Sequence, residues 1–257
     1  MLTFWGLSTQ KIDSISIQAP FIYLVITIFL VILSFFYAKL FFTNSKEKSI
    51  VTISSVIGNT GNLGIPLGIA LFGEESIIYT SLINIVNIFI IYTIGVYFYS
   101  RGSFSIKDSL LNIVKLPLIW FAILAITFNL LELTIHPSIL TSLQMGAYAS
   151  MVLQLMIFGM FLYSVKLKKL NKKLILHVNM IKFIIIPLIA YIVLYNFELD
   201  SFMIHIILLE LIVPLAVTNV NLSSLYNCKP IDVTSLVFVT SLVFIPYLLL
   251  VIGFLNE

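Results

Sequence analysis

The sequence predicts an all-α membrane protein with about eight transmembrane helices. Three observations predict this fold: the composition, the length of the apolar segments and the distribution of charge between them. Of the 257 residues, 60% are hydrophobic and 10% are charged, and the mean hydropathy is +1.13. A soluble domain carries roughly 25% charged residues, so this chain has too little polar surface to coat a water-soluble globule.

The apolar segments are long enough to span a bilayer, which requires roughly 20 mostly apolar residues per helix. Runs such as residues 183–186 and 248–251 are apolar on every side, which favours helices over the alternating pattern of a membrane β-strand. The predicted spans are residues 19–42, 50–73, 76–100, 113–132, 138–165, 174–196, 203–225 and 231–254. They fill the chain as one integral membrane domain, residues 1–257, without a soluble domain.

Charge alternates between successive connections, and cytoplasmic connections are the ones enriched in Lys and Arg. The connections after the first, third, fifth and seventh predicted spans are basic: Lys39, Lys46, Lys48, Arg101, Lys107, Lys115, Lys166, Lys168, Lys169, Lys172, Lys173 and Lys229. The intervening connections carry only acidic charges: Glu74, Glu75, Glu132, Glu198 and Asp200. The alternation supports the number of spans and predicts a multi-pass protein of the cell membrane with both chain ends outside.

The second predicted span, residues 50–73, concentrates residues that break helices. Within eleven positions it contains four glycines and a proline: Gly58, Gly61, Gly64, Pro66 and Gly68. Proline removes a backbone donor and clashes with the preceding turn, and each glycine costs about 1 kcal/mol relative to alanine in a helix. A close-packed, kinked helix would also use small residues. Three polar side chains, those of Asn59, Thr60 and Asn62, favour a broken helix that binds a ligand instead.

The seventh predicted span has a similar interruption, with Pro214, Thr218 and Asn219 near its middle. The stretches 19–100 and 174–254 are nearly equal in length, and each contains three spans with the interrupted one in the second position. Two interrupted spans in corresponding positions are typical of an inverted repeat.

Several short motifs resemble the auxin efflux carrier family, which includes bacterial permeases and the plant auxin exporters. The motifs are Asn59-Thr60, Gly64-Ile65-Pro66, Leu71-Phe72-Gly73-Glu74, Lys115-Leu116-Pro117, Met145-Gly146, Phe158-Gly159, Pro214, Tyr226-Asn227 and Pro230. The resemblance covers the whole chain. It implies a ten-helix inverted-repeat transporter fold in which the fourth and ninth helices break and cross at the substrate site.

The resemblance also implies roles for individual residues. Pro66 and Pro214 would be the crossover prolines, and Asn59 would face the substrate carboxylate. The polar position of the ninth helix would fall at Thr218 or at Asn219. The implied substrate is a small organic anion, a carboxylate such as malate, malonate or an auxin-like acid.

The resemblance further implies that the first two helices of the family are missing here, as in a truncated gene model or a fragment. Residues 19–100 and 174–254 would form the transport unit, and residues 113–165 would be the remaining scaffold helices. In the family the scaffold pairs two subunits, which allows a homodimer.

Two charged residues, Lys182 and Glu210, fall inside predicted spans, where ionisable groups are costly and mark either a function or a pair. We expect them either to couple transport to an ion or to form a structural ion pair. Asn84 and Asn87 on the third predicted span are expected to bond across helices or to line a cavity.

The sequence thus predicts a secondary transporter that moves a small organic anion by alternating access, with the lipid bilayer as its surroundings. The alternatives are a non-transporting fragment or membrane partner subunit, and an intramembrane enzyme. Neither Gly-x-Ser-x-Gly nor His-Glu-x-x-His occurs, so we expect no catalytic residues and no enzyme. We also expect no metal site, no cofactor and no nucleic-acid partner.

Overall fold

The computed structural model describes residues 2–9, 12–100, 105–163, 170–196 and 199–255. The α-helices in this part of the chain are α1 (Leu2–Thr9), α2 (Ser14–Phe41), α3 (Ser45–Ser54), α4 (Ile65–Phe72), α5 (Ser76–Ile90), α6 (Val96–Ser100), α7 (Ile106–Val114), α8 (Pro117–Leu130), α9 (Pro137–Tyr163), α10 (Lys172–Met180), α11 (Ile186–Tyr195), α12 (Ser201–Ile212), α13 (Thr218–Leu225) and α14 (Pro230–Leu255). The predicted all-α membrane fold is confirmed.

Five of the described helices are long and apolar enough to cross a membrane: Ser16–Phe41, Ser76–Ser100, Pro137–Tyr163, Lys172–Tyr195 and Pro230–Gly253. Shorter apolar helices cover the other three predicted spans: Thr60–Phe72, Pro117–Leu130 and Ser201–Ile212. Every predicted span therefore coincides with a helix or a pair of helices.

Two spans are broken, as the sequence predicted. The first consists of α3 and the stretch Thr60–Phe72, separated by a turn and an extended segment after Ser54. The second consists of α12 and α13, separated by an extended segment after Ile212. Each broken span lies between two long helices of its half of the chain. The order long helix, broken span, long helix therefore occurs twice.

Widened π-helical turns explain how two prolines are held inside helices. The turns Thr60–Gly64 and Ile181–Ile185 immediately precede α4 and α11. Pro66 and Pro187 are the second residues of these two helices. A proline in a regular helix removes one hydrogen bond and clashes with the carbonyl four residues earlier, and a π-bulge relieves this locally.

The prediction that Pro66 marks the crossing is therefore corrected. Its helix continues from Thr60 to Phe72, and the break lies earlier in the chain, between Ser54 and Thr60. Pro214, in contrast, lies inside the break of the second span.

The remaining helices pack on one side of these two halves. Helix α1 is buried over most of its length and packs against α8, α9 and α5. Trp5 of α1 contacts Tyr148 of α9, with 5.6 Å between the ring centroids. The polypeptide then enters α2 through a capping box, in which Asp13 accepts from the Ser16 backbone N–H at 2.7 Å.

Candidate functional site

The two broken spans cross at their extended segments and pair there as a short antiparallel bridge. The backbone N–H of Asn59 donates to the carbonyl of Pro214 at 2.8 Å, and that of Ala216 donates to the carbonyl of Ile57 at 3.2 Å. Gly58 lies opposite Leu215 in this bridge. An antiparallel pair has local two-fold symmetry, which is the relation expected between two inverted halves.

Gly58 is required at the crossing because the facing segment approaches closely. A Cβ atom there would lie 2.9 Å from Val213 Cγ2 and 3.3 Å from the Val213 carbonyl oxygen. The two backbone hydrogen bonds of the bridge also replace bonds that the interrupted helices lose. Such replacement matters because buried backbone groups are costly without partners.

Asn219 stabilises the crossing through side-chain hydrogen bonds to both broken spans. Its side chain is fully buried, and its Nδ2 donates to the carbonyls of Ile57 at 3.2 Å and Ala216 at 3.0 Å. Its Oδ1 accepts from the Tyr99 hydroxyl at 3.0 Å, which also bonds Ser54 Oγ at 2.7 Å. Asn219 therefore joins both broken spans and the helix α6.

A cavity of about 270 Å³ opens beside the crossing. The broken spans contribute Gly58, Asn59, Thr60, Gly61, Asn62, Ile65, Ala216 and Thr218 to its wall. Other helices contribute Leu2, Thr3, Asn84, Asn87, Ile88, Ile91, Tyr92, Leu116, Pro117, Leu118 and Gln154. None of these lining residues carries a formal charge, and the polar ones are mostly amides and hydroxyls.

The second half of each broken span begins at this cavity. The segments Thr60–Gly64 and α13 both start there without a side-chain cap, although in α13 the N–H groups of Asn219 and Val220 bond the carbonyls of Ala216 and Val217. Asn59 is only 4% exposed, and its Nδ2 has no hydrogen-bond partner among the described residues. A buried donor without a partner in the protein is available to a ligand.

Comparison with known proteins agrees with this architecture. A family model described as "Membrane transport protein" matches residues 3–109 and 103–252. The chain belongs to this family. The resemblance to the auxin efflux carriers is thereby confirmed, and the protein is a multi-pass membrane transporter.

A curated relative agrees with this assignment. It is described as an uncharacterized transporter from Methanocaldococcus jannaschii and is 27% identical over 228 residues, which are 87% of this chain and 74% of the relative.

A buried hydrogen-bond network positions one wall of the transporter's cavity. Thr60 Oγ1 donates to Asn84 Oδ1 at 2.9 Å and accepts from Asn87 Nδ2 at 2.8 Å. Asn87 Nδ2 also donates to the carbonyl of Gly58 at 3.0 Å. The two asparagines of α5 thus both bond across helices and line the cavity, two roles that the sequence left as alternatives.

Lys182 and Glu210 do not line the cavity. Both side chains are fully buried, and neither Lys182 Nζ nor either Glu210 carboxylate oxygen has a hydrogen-bond partner in the described part of the chain. The two groups nevertheless interact electrostatically. They share no direct hydrogen bond among the described residues, and the two alternatives that the sequence offered, coupling to an ion and a structural ion pair, both stay predictions.

The structure brings four of the residues singled out in the sequence to the cavity: Asn59, Thr60, Asn62 and Thr218. Three others lie elsewhere: Pro214 within the crossing, Asn219 behind it and Pro66 at the second position of α4. Sequence reasoning missed Gln154 and Tyr92, which also line the cavity. A glutamine in an otherwise apolar part of α9 was the available signal for Gln154.

Proposed function

We propose that this transporter carries a small organic anion, with the carboxylate of the substrate bound at the helix crossing. The observation that carries the proposal is the Nδ2 of Asn59, which has no hydrogen-bond partner in the described part of the chain and lies at the start of a half-helix on the cavity wall. An N–H donor at a helix N-terminus favours negative charge, since the helix macrodipole places positive potential there. Malate, malonate and auxin-like acids are the candidate substrates.

The second half-helix supports the same ligand class. Helix α13 begins beside the cavity at Thr218, whose side chain is half-buried and supplies a hydroxyl. Two helix N-termini therefore bring partial positive charge to one place without a lysine or arginine in the cavity wall. A site of this kind holds an anion without the cost of an unpaired buried cation. The cavity volume, about 270 Å³, suits a small molecule.

Alternating access is the mechanism that we propose. The cavity wall combines the crossing with residues of two helices outside the inferred transport unit, Leu118 of α8 and Gln154 of α9. If residues 19–100 and 174–254 move against residues 113–165, the crossing and its ligand move together past a stationary wall. The ligand would then face one side of the membrane at a time. A pair of subunits is the assembly that we expect to hold the stationary part.

Uptake into proteoliposomes tests the proposal. The wild-type protein should accumulate at least one acid from a panel of labelled malate, malonate and indole-3-acetate. Asn59→Ala should lower this uptake at least tenfold, because it removes the free donor. The melting temperature should stay unchanged, because the Asn59 side chain bonds no described residue through Nδ2.

Asn196→Ala is the matched control. Asn196 is exposed and bonds only the carbonyl of Ile192 in its own helix, among the bonds described. Its uptake should equal that of the wild type. Normal uptake by Asn59→Ala would remove Asn59 from the site. Uptake of none of the acids by the wild-type protein would contradict the anion proposal and favour a partner subunit or a non-transporting fragment.

A further inference from the structure

Two buried ionisable groups lie against the first broken span: Lys182 at the crossing and Glu210 at the turn Thr60–Gly64 that follows it. Lys182 Nζ is 3.2 Å from where a Cβ atom of Gly58 would be. The Glu210 carboxylate occupies the space that a Cβ atom of Gly64 would need. The absence of side chains at these glycines therefore makes room for the two charged groups.

Among the described residues, few other ionisable groups lie near this pair, and one is Tyr247 of α14, whose ring contacts Phe183 beside Lys182 at 5.0 Å. Tyr23 of α2 interacts electrostatically with Glu210, and its hydroxyl donates to Asn87 Oδ1 at 3.4 Å. The stretch Thr60–Phe72 contains no ionisable residue, and α5 contains only Tyr79, whose ring contacts Phe202.

Helix α12, which carries Glu210, and helix α10, which precedes the turn with Lys182, add one histidine each. In α12 this is His205, which stacks on Phe72. In α10 it is His177, which bonds the Tyr37 hydroxyl at 2.7 Å. The charge beside the crossing is consequently set by Lys182 and Glu210 together.

The net charge of the pair depends on how many protons it holds. With one proton the pair is neutral, whether the proton resides on the lysine or on the glutamate, and the two sites titrate as one unit. With two protons, an ammonium and a carboxylic acid, the pair has a charge of +1. A buried net charge is costly unless an opposite charge lies nearby. In the absence of a ligand, the one-proton state is thus favoured.

An anion at the crossing changes this preference. Gly58 lines the cavity on one side and adjoins Lys182 Nζ on the other, so only the backbone of the crossing separates the ligand from Lys182. The negative charge of the ligand stabilises the two-proton state. The second proton, in turn, strengthens anion binding by the same factor, because the linkage is reciprocal.

We propose that Lys182 and Glu210 form a proton-binding site that takes up one proton from water when a carboxylate binds at the crossing. This inference rests on the proposed function, since it requires an anion in the cavity. The proton joins the pair on the side of the membrane where the substrate enters, and it is released on the other side with the substrate. The transporter is therefore a symporter of one proton with each acid.

Binding of malate to the purified protein as a function of pH tests the inference. Carboxyl groups ionise at roughly pH 4, so between about pH 6.5 and 8.5 the charge of the probe hardly changes. Wild-type affinity should rise by up to tenfold for each unit that the pH falls, which is the slope of one linked proton. Calorimetry in two buffers of different ionisation heat should count about one proton taken up per malate bound.

Two variants test whether the pH dependence of malate affinity arises from Lys182 and Glu210. Lys182→Met with Glu210→Gln removes both titratable groups and leaves no unpaired charge, so affinity should become independent of pH. Glu210→Gln alone leaves Lys182 as the single titratable group of the pair, and a buried ammonium is costly without an opposite charge; its affinity should therefore still rise as the pH falls. Glu75→Gln is the control, because Glu75 is exposed; its slope should match that of the wild type.

The outcomes separate the two proposals. Malate binding by the wild type with no pH slope and no proton uptake overturns the proton site and leaves the anion site in place. A slope that persists in the double variant places the proton elsewhere and also overturns it. Absence of malate, malonate and indole-3-acetate binding by the wild type contradicts the proposed function itself. The proton count of the wild type decides the question where a variant does not fold.

Discussion

Asn219→Ala should loosen the crossing without touching the cavity. The substitution removes three hydrogen bonds: those to the carbonyls of Ile57 and Ala216 and the one from Tyr99. Each former partner keeps another bond, since the Ile57 carbonyl accepts from the Ala216 N–H and the Tyr99 hydroxyl contacts Ser54. The expected cost is therefore that of the bonds alone.

The magnitude follows from measured side-chain bonds in membrane helices. These average about 0.6 kcal/mol each, so the loss of three bonds lowers the free energy of unfolding by about 2 kcal/mol. For a chain of this size, 1 kcal/mol shifts the melting temperature by about 2–4 °C. A decrease of about 4–8 °C is thus expected.

Cys228 provides the assay, because it is the only cysteine of the chain and is buried. A fluorogenic thiol reagent should react with it only when the protein unfolds, so fluorescence against temperature gives the melting curve. Asn221→Ala is the matched control, since Asn221 is exposed on the same helix. Equal melting temperatures for Asn219→Ala and Asn221→Ala would refute the view that Asn219 fastens the crossing.

Two further predictions concern packing and topology. Gly68→Ala should destabilise the protein by about 1–3 kcal/mol, because its Cβ would lie 2.8 Å from Thr80 Cγ2. Adding Thr80→Ser removes that methyl group and should restore most of the melting temperature. A double variant that melts as low as Gly68→Ala would place the strain elsewhere. The charges predict that Glu75 lies outside the cell and Lys172 inside. In a Cys228→Ser background, an impermeant maleimide added to intact cells should therefore label Glu75→Cys and not Lys172→Cys. The reverse labelling would contradict the predicted orientation.

The membrane fold could be predicted from the sequence because hydropathy and loop charge are local properties that need no tertiary information. The breaks could be predicted as well, since glycine and proline act on their own backbone. The prediction that the first crossing lies at Pro66 was wrong, however. Pro66 is tolerated inside a helix because the preceding turn widens, and such a turn is set by packing rather than by local propensity.

Which of the two polar residues at the second crossing segment faces the cavity could not be predicted, for a different reason. Thr218 and Asn219 are adjacent, and their polarity alone does not tell which one faces the cavity. The geometry of the antiparallel bridge decides it: α13 begins where the bridge ends, and this start places Thr218 on the cavity wall and Asn219 against the carbonyls of the bridge. Gln154 was missed because its role depends on how α9 packs against the first broken span.

A broken helix leaves free carbonyls at the end of one half and free N–H groups at the start of the next. In this transporter the bridge and Asn219 use carbonyls of Ile57, Pro214 and Ala216, which are groups that would repel an anion. The bridge also uses the N–H groups of Asn59 and Ala216, and the N–H groups of Asn219 and Val220 bond the carbonyls of Ala216 and Val217. The side-chain Nδ2 of Asn59, which has no partner among the described residues, is left toward the cavity. Stabilisation of the crossing thus comes from backbone groups and Asn219, whereas the donor proposed to attract an anion is the side chain of Asn59. Stability and transport should accordingly respond to different substitutions, Asn219→Ala to the first and Asn59→Ala to the second.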